Sequence, residues 1–311
     1  MLLYIAMADA YGMATEYVSR DADPDTFKRA LSFKGYVAHP KPSHAHKAGL
    51  YSDDTEMSIA NAMVITAKHS PSALDFACAY VNEFHYGGQR KGYSRGFQSV
   101  LEDCETGHDL LRLLDKNGGG RSNKNGAAMR SVPFGVIKDL DLLLSIAEEQ
   151  AKITHDSPEG IFSSLAVALM SHHALYESEA LSHAPGYAKR VLSNRMGNRF
   201  REFYDVFDRR YPNTPVQRTG HTSVGIMTVH AVIDLIANQH SLMDMLKQAI
   251  IWGGDTDSVA AIAWGIASAR FQDEKLPAFL TTDLEQGSSR TGAERLRHVG
   301  RLLMGWSACN P

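Results

Sequence analysis

Apolar residues recur at three- and four-residue intervals along most of this chain, the spacing that lines one face of an α-helix. The pattern predicts helices over 58–68, 73–84, 127–138, 140–152, 160–176, 195–209, 223–237, 241–251 and 258–271. Residues 1–14 are also apolar, but they lack a basic start and Asp9 interrupts the run. They are therefore expected to be a first helix of the mature protein and not a secretory signal. Alternating β-branched runs with hairpin turns are scarce, so the expected class is all-α. Two segments, 224–236 and 259–269 (VAAIAWGIASA), are apolar on nearly every side and are expected to be central core helices. Three longer segments lack periodicity: 21–50 with Pro24, Pro40 and Pro42, the Gly/Asn-rich 115–125, and 211–222 with Pro212 and Pro215. With no repeat and no linker composition, one domain over 1–311 is expected.

At 311 residues the chain can bury a large core, and its 44% apolar and 22% charged content is that of a soluble globular protein. The net charge of −3 and the lack of a basic run remove the footprint of a nucleic-acid binder. An anionic ligand would have to be met by backbone donors or metal ions. Cys78, Cys104 and Cys309 are odd in number, far apart and in no CxxC pair. This argues against a disulfide framework or a zinc-thiolate site and points to a reducing, cytoplasmic setting. No apolar run reaches the roughly 18 residues of a membrane span.

Two acidic clusters each stand directly before an apolar helix. One is Ser52-Asp53-Asp54; the other is Asp255-Thr256-Asp257-Ser258, preceded by Gly253-Gly254. Helix capping explains one oxygen-bearing residue at each start but not two carboxylates. Clustered carboxylates repel unless a cation sits among them, and hard cations such as Mg²⁺ take oxygen ligands. The clusters lie 201 residues apart (255 − 54), yet both can sit at helix ends in one core. A third feature, Asn117 to Arg130 (NGGGRSNKNGAAMR), is a Gly/Asn-rich loop running into a helix, where backbone N–H groups form a phosphate cradle. Glu16 stands alone near the end of the first helix, and Thr154-His155-Asp156-Ser157-Pro158 reads as an N-cap with proline at the first helical position. His44 with His46, and His172 with His173, lack the spacing of a helical zinc site. No G-x-S-x-G elbow supports a serine hydrolase.

Taken in order, these segments resemble the ADP-ribosylglycohydrolase family. ADAYGMATE (8–16) is similar to the family's GDALGxxxE, YSDDTEM (51–57) to TDDTQM, KNGAAMR (124–130) to GNGAAMR, THDSPE (154–159) to TH-x-x-PE, and GGDTDSVAAIAWGIASA (253–269) to GGDTDTIAAIAGAIAGA. The resemblance implies a compact orthogonal bundle of helices with a di-metal cleft holding two Mg²⁺, or Mn²⁺ in some members. By position it implies that Ser52, Asp53, Asp54, Asp255, Asp257 and Ser258 bind metal and that Glu16 and Asp255 are catalytic. It likewise implies that Ser122, Asn123, Lys124, Asn125 and Gly126 cradle the pyrophosphate, that His155 lines the cleft, and that Gly92 and Tyr93 lie near the ribose. Ala8 replaces a family Gly, Ser52 and Ser258 replace Thr, Glu56 replaces Gln, and Lys124 replaces Gly.

The implied function is metal-assisted hydrolysis releasing ADP-ribose from a protein side chain, of arginine or serine type, or from a small-molecule conjugate. The enzyme is expected to act as a monomer. The rival readings are an ADP-ribose-binding protein without turnover, an immunity protein that counters an ADP-ribosylating toxin partly by occlusion, and a two-metal phosphoesterase that would release AMP.

Overall fold

The structure is a computed structural model describing residues 1–41, 47–218, 222–286 and 291–309. The expected helical class holds: the described residues form helices α1 (Leu2–Gly12), α2 (Pro24–Ala30), α3 (Asp53–Ala67), α4 (Ala73–Tyr86), α5 (Arg95–Glu102), α6 (Gly107–Lys116), α7 (Gly126–Met129), α8 (Leu140–His155), α9 (Pro158–Tyr176), α10 (Ala184–Met196), α11 (Val224–Asn238), α12 (Leu242–Trp252), α13 (Thr256–Ala267), α14 (Phe279–Thr282) and α15 (Ala293–Cys309). Among those residues the only β-type pairings are two isolated bridges, Arg121 with His155 and Val216 with Gly254. No described helix is long and apolar enough to cross a membrane.

The local chemistry explains most boundaries. Ser72 and Thr106 each close a capping box with an aspartate three residues on, and Ser157 caps α9 with Pro158 in its first turn. Helix α13 is buried on every side, as its composition predicts, and packs on α1, α3, α7, α9, α11 and α12. Its contact with α1 is closest at Gly12, where a Cβ would lie 2.5 Å from the Asp257 Cα. That approach fixes the end of the first helix against the second acidic cluster.

Two predicted helices need correction, and two stretches without a predicted element contain helices. The helix expected over 127–138 is only α7 followed by a 3₁₀ turn, Val132–Val136, because Pro133 cannot donate to or pack within a continuing α-helix. The helix expected over 195–209 is instead the end of α10, stopped at Gly197 in the left-handed region (φ 57°), and a 3₁₀ run at Arg201–Phe207. The segment 21–50 contains α2, capped by Asp23 with Pro24 in the first turn. Helices α5 and α6, half-exposed and short, lie in a stretch for which no element was predicted. His44 and His46 fall outside the described residues. His172 serves the core, its Nδ1 paired with the Ile137 carbonyl at 3.0 Å.

Candidate active site

The two acidic clusters, far apart in sequence, meet at the N-termini of α3 and α13. Ser52 caps α3, accepting from the Asp54 amide, and its hydroxyl faces Asp54 Oδ2 at 3.3 Å. From the other cluster, the Ser258 hydroxyl donates to the same Asp54 Oδ2 at 3.2 Å. Two further oxygens, Asp54 Oδ1 and Asp257 Oδ1, are buried with no hydrogen-bond partner among the described residues. Glu16, Asp255 and Asp257 each present a carboxylate oxygen within 4.8 Å of the others. Native proteins rarely leave a buried polar atom unpaired, because desolvation without a partner costs about 1–3 kcal/mol and more for a charge. The donor set is all oxygen, carboxylate and hydroxyl, which suits a hard divalent cation.

The electrostatics agree. Burial, then like charges, push Glu16 up to about 8 and Asp53 up to about 7, and hold Asp54 and Asp257 well above the usual carboxylate range.

Three features build this geometry. Gly253 and Gly254 both take left-handed backbone (φ 75° and 77°) to turn from α12 into α13. A Cβ on Gly254 would lie 2.2 Å from the Val216 carbonyl oxygen, and the Asp255 amide donates to that oxygen at 3.0 Å. On the opposite side, buried Asp9 on α1 accepts from the Ser52 and Thr55 amides at 3.0 and 3.1 Å and from the Thr55 hydroxyl at 2.5 Å. Asp9 thereby pins the first turn of α3. Tyr17, left-handed at φ 49°, donates its hydroxyl to Asp255 Oδ2, and its amide donates to Gly254 O at 2.8 Å. A non-glycine residue in that region costs ~1–3 kcal/mol and persists only where its surroundings enforce it.

The clusters border a cavity of about 1250 Å³, whose wall also includes Ser122, Lys124, Asn125, Gly126, Gly92 and His155. The carbonyls of Ser122 and Asn123 are taken by the caps of α9 and α11: Ser157 Oγ donates to Ser122 O at 2.8 Å, and Gly225 N to Asn123 O at 3.2 Å. The Asn125 side-chain amide is turned to the carboxylates, donating to Asp255 Oδ2 at 3.2 Å. Gly126 lies against the His155 ring, where a Cβ would be 2.6 Å from Cε1. Gly92 stands against Asp53 at the cavity wall. Tyr93 also lines the cavity; it is buried and its hydroxyl donates to Glu56 Oε2 at 2.9 Å.

His155 is neutral: burial, then Arg130 and Lys124, hold it well below its ordinary value. Arg130 donates to Thr154 Oγ1 at 2.7 Å, and Thr154 Oγ1 is in turn hydrogen-bonded to His155 Nδ1 at 2.8 Å. Buried Arg130 is held by Gln150 (2.6 Å to Oε1) and stacks 4.8 Å above Tyr80.

Sequence reasoning missed Asp9, Tyr17, Arg130 and Arg218 as parts of this region. Asp9 did carry a signal, as the lone charge in an otherwise apolar helix. Arg218 lies in a segment without periodicity; its Nη2 is 3.0 Å from Glu16 Oε1 and its guanidinium is 4.0 Å from the Tyr17 ring centre.

The chain is 26% identical to an ADP-ribosyl-[dinitrogen reductase] glycohydrolase of Rhodospirillum rubrum, over 97% of this chain and 93% of that protein. It is 24% identical to the chicken (Gallus gallus) ADP-ribosylhydrolase ARH3, over 87% and 84%, and 25% identical to the human (Homo sapiens) ARH3, over 76% and 74%. A solved structure described as an ADP-ribosylglycohydrolase-related protein complex has the same fold, with a TM-score of 0.69 at 20% identity over 98% of this chain and 96% of that one. The ADP-ribosylglycohydrolase family model matches residues 1–309, which takes in all of these carboxylates and the polar loop, and the chain therefore belongs to the ADP-ribosylglycohydrolase family of enzymes.

Proposed function

We propose that this protein hydrolyses the bond between the ribose C1″ of ADP-ribose and an acceptor, a protein side chain of arginine or serine type or a small-molecule conjugate. Ser52, Asp53, Asp54, Asp255, Asp257 and Ser258 would hold a pair of divalent cations, Mg²⁺ or Mn²⁺. The observation that carries this is the pair of unpartnered buried oxygens, Asp54 Oδ1 and Asp257 Oδ1, brought to one cavity from opposite ends of the chain. Held by these residues, such cations would supply Lewis acidity to the site.

The chain's own groups do the rest. Glu16, beside Asp255 and Asp257, takes the proton of the attacking water, and the surrounding carboxylates favour the positive charge that develops on the ribose. The Ser122 and Lys124 amides are bonded to Thr154 O and Ser122 Oγ, so the other backbone N–H groups of 123–126 would meet the diphosphate, with no strongly basic field needed. His155, held neutral by burial, lines the cleft beside them. The named activities of the relatives, removal of ADP-ribose from dinitrogen reductase among them, support the same reading.

The test is incubation with ADP-ribosylated arginine and serine peptides and Mg²⁺, with release of ADP-ribose measured. Release that persists undiminished in Asp255→Ala would sink the metal assignment. Release of AMP instead would favour a phosphoesterase.

A further inference from the structure

We infer that Arg218 is a charge filter on the acceptor side of the site, selecting neutral, hydroxyl-type leaving groups against cationic, guanidinium-type ones. The inference rests on the function proposed above and deepens it. Arg218 is held by three independent restraints. Its Nη2 is 3.0 Å from Glu16 Oε1, its guanidinium stacks 4.0 Å from the centre of the Tyr17 ring, and two residues upstream Val216 is bridged to Gly254 and accepts from the Asp255 amide at 3.0 Å. Tyr17 is in turn bonded to Asp255. The guanidinium is thus built onto the same turn that presents Asp255 and Asp257, while its side chain keeps 52% of its surface open to solvent.

Charge counting gives the consequence. Five carboxylates line this end of the cavity: Glu16, Asp53, Asp54, Asp255 and Asp257. Two divalent cations would offset four of these charges; Lys91, Arg95, Lys124 and Arg130 also line the cavity, but Arg218 is the cation set directly on Glu16. A carboxylate and an aromatic face together make a good guanidinium seat, but here the protein's own arginine fills it. An acceptor arriving at Glu16 from solvent therefore meets a fixed positive charge. A neutral hydroxyl-type acceptor passes it without penalty. A guanidinium acceptor is opposed on the order of tenfold, the effect of one unit charge acting over about 10 Å at the effective dielectric of a protein surface.

The experiment compares kcat/KM on ADP-ribosyl-arginine and ADP-ribosyl-serine peptides with Mg²⁺, for the wild type, Arg218→Gln and Arg218→Lys, alongside calorimetric titration of each protein with ADP-ribose. The wild type is expected to prefer the serine-linked peptide. Arg218→Gln should raise the arginine-to-serine ratio about tenfold, and Arg218→Lys, which keeps the charge, should hold it within about twofold. The ratio cancels any shared loss from disturbing Glu16. A ratio unmoved in Arg218→Gln, or moved equally in Arg218→Lys, overturns the inference. So does a fall in ADP-ribose affinity large enough to account for the change in rate, which would make Arg218 a ligand-binding group. Cleavage of neither peptide by the wild type would overturn this inference together with the protein-side-chain part of the proposed function, leaving only the small-molecule conjugate.

Discussion

Asp54 and Glu56 stand two residues apart in the first turn of α3, both buried, yet their surroundings differ completely. Glu56 has both oxygens bonded: Arg90 Nε donates to one at 2.7 Å and the Tyr93 hydroxyl to the other at 2.9 Å. Arg90 continues to Glu285 at 2.8 Å and to the Tyr51 carbonyl at 2.7 Å, and stacks 4.1 Å from the Tyr51 ring. Asp54 has serine hydroxyls on one oxygen and, among the described residues, nothing on the other. One buried acid is paired within the chain; the other keeps an oxygen open, as the proposed metal site would require.

The sharpest test of this contrast is to remove one acid of each kind. Asp257→Ala should lower ADP-ribose release by at least about 10³-fold and abolish the rise in Tm on adding Mg²⁺, while leaving the metal-free Tm unchanged or higher, because a like charge is gone. A metal-free Tm that falls by several degrees would mean that Asp257 is paired within the chain after all. On the other side, Arg90→Met strands Glu56 and Glu285, whose side chains are almost fully buried, and should destabilise the protein by about 3–5 kcal/mol in urea unfolding. Little change there would erase the distinction between the two regions.

A pH series refines the comparison. Glu16, Asp53 and Asp9 have folded-state pKa values raised by burial to about 8, 7 and 6. Their unfolded values lie near 4, so the native state binds protons more tightly than the unfolded one. Their contribution to stability is fully present below about pH 4 and is lost as pH rises through 6 to 8. Metal-free protein should therefore lose Tm between pH 5 and pH 8, and the gain on adding Mg²⁺ should be larger at pH 8 than at pH 5. Equal gains at the two values would show that protons and metal do not compete for these oxygens. The smallest effect is expected from Tyr17→Phe, which deletes one hydrogen bond to Asp255 and should lower kcat less than about tenfold with Mg²⁺ affinity nearly kept. A loss comparable to that of Asp257→Ala would place Tyr17 in the chemistry itself.

Much of the molecule is legible in the residues taken in order. Period-three and period-four apolar spacing gives α3, α4, α8, α9, α11, α12 and α13 nearly to their ends. The residues that cap α3 and α13 are those that carry the acidic clusters, because the same short oxygen-bearing side chains suit a helix N-terminus and a hard cation. The replacement of a family Gln by Glu56 is visible in the sequence. Its reason, Arg90 waiting beside it, is not. Helices α5 and α6 escaped because they are short and half-exposed, and the break after α7 because apolar spacing outweighed Pro133.

By itself, then, the sequence determined the helical class, the two acidic helix starts and the polar loop at 122–126, since each depends on chemistry within about one turn of its own residue. Only the tertiary structure decided which oxygens stay open, that Asp9 holds the turn of α3, that the polar side chain of Tyr93 serves Glu56, and that Arg218 sits on Glu16. Those are contacts between residues tens to hundreds of positions apart. Whether a buried charge is paired or open is settled by the other segments that pack around it.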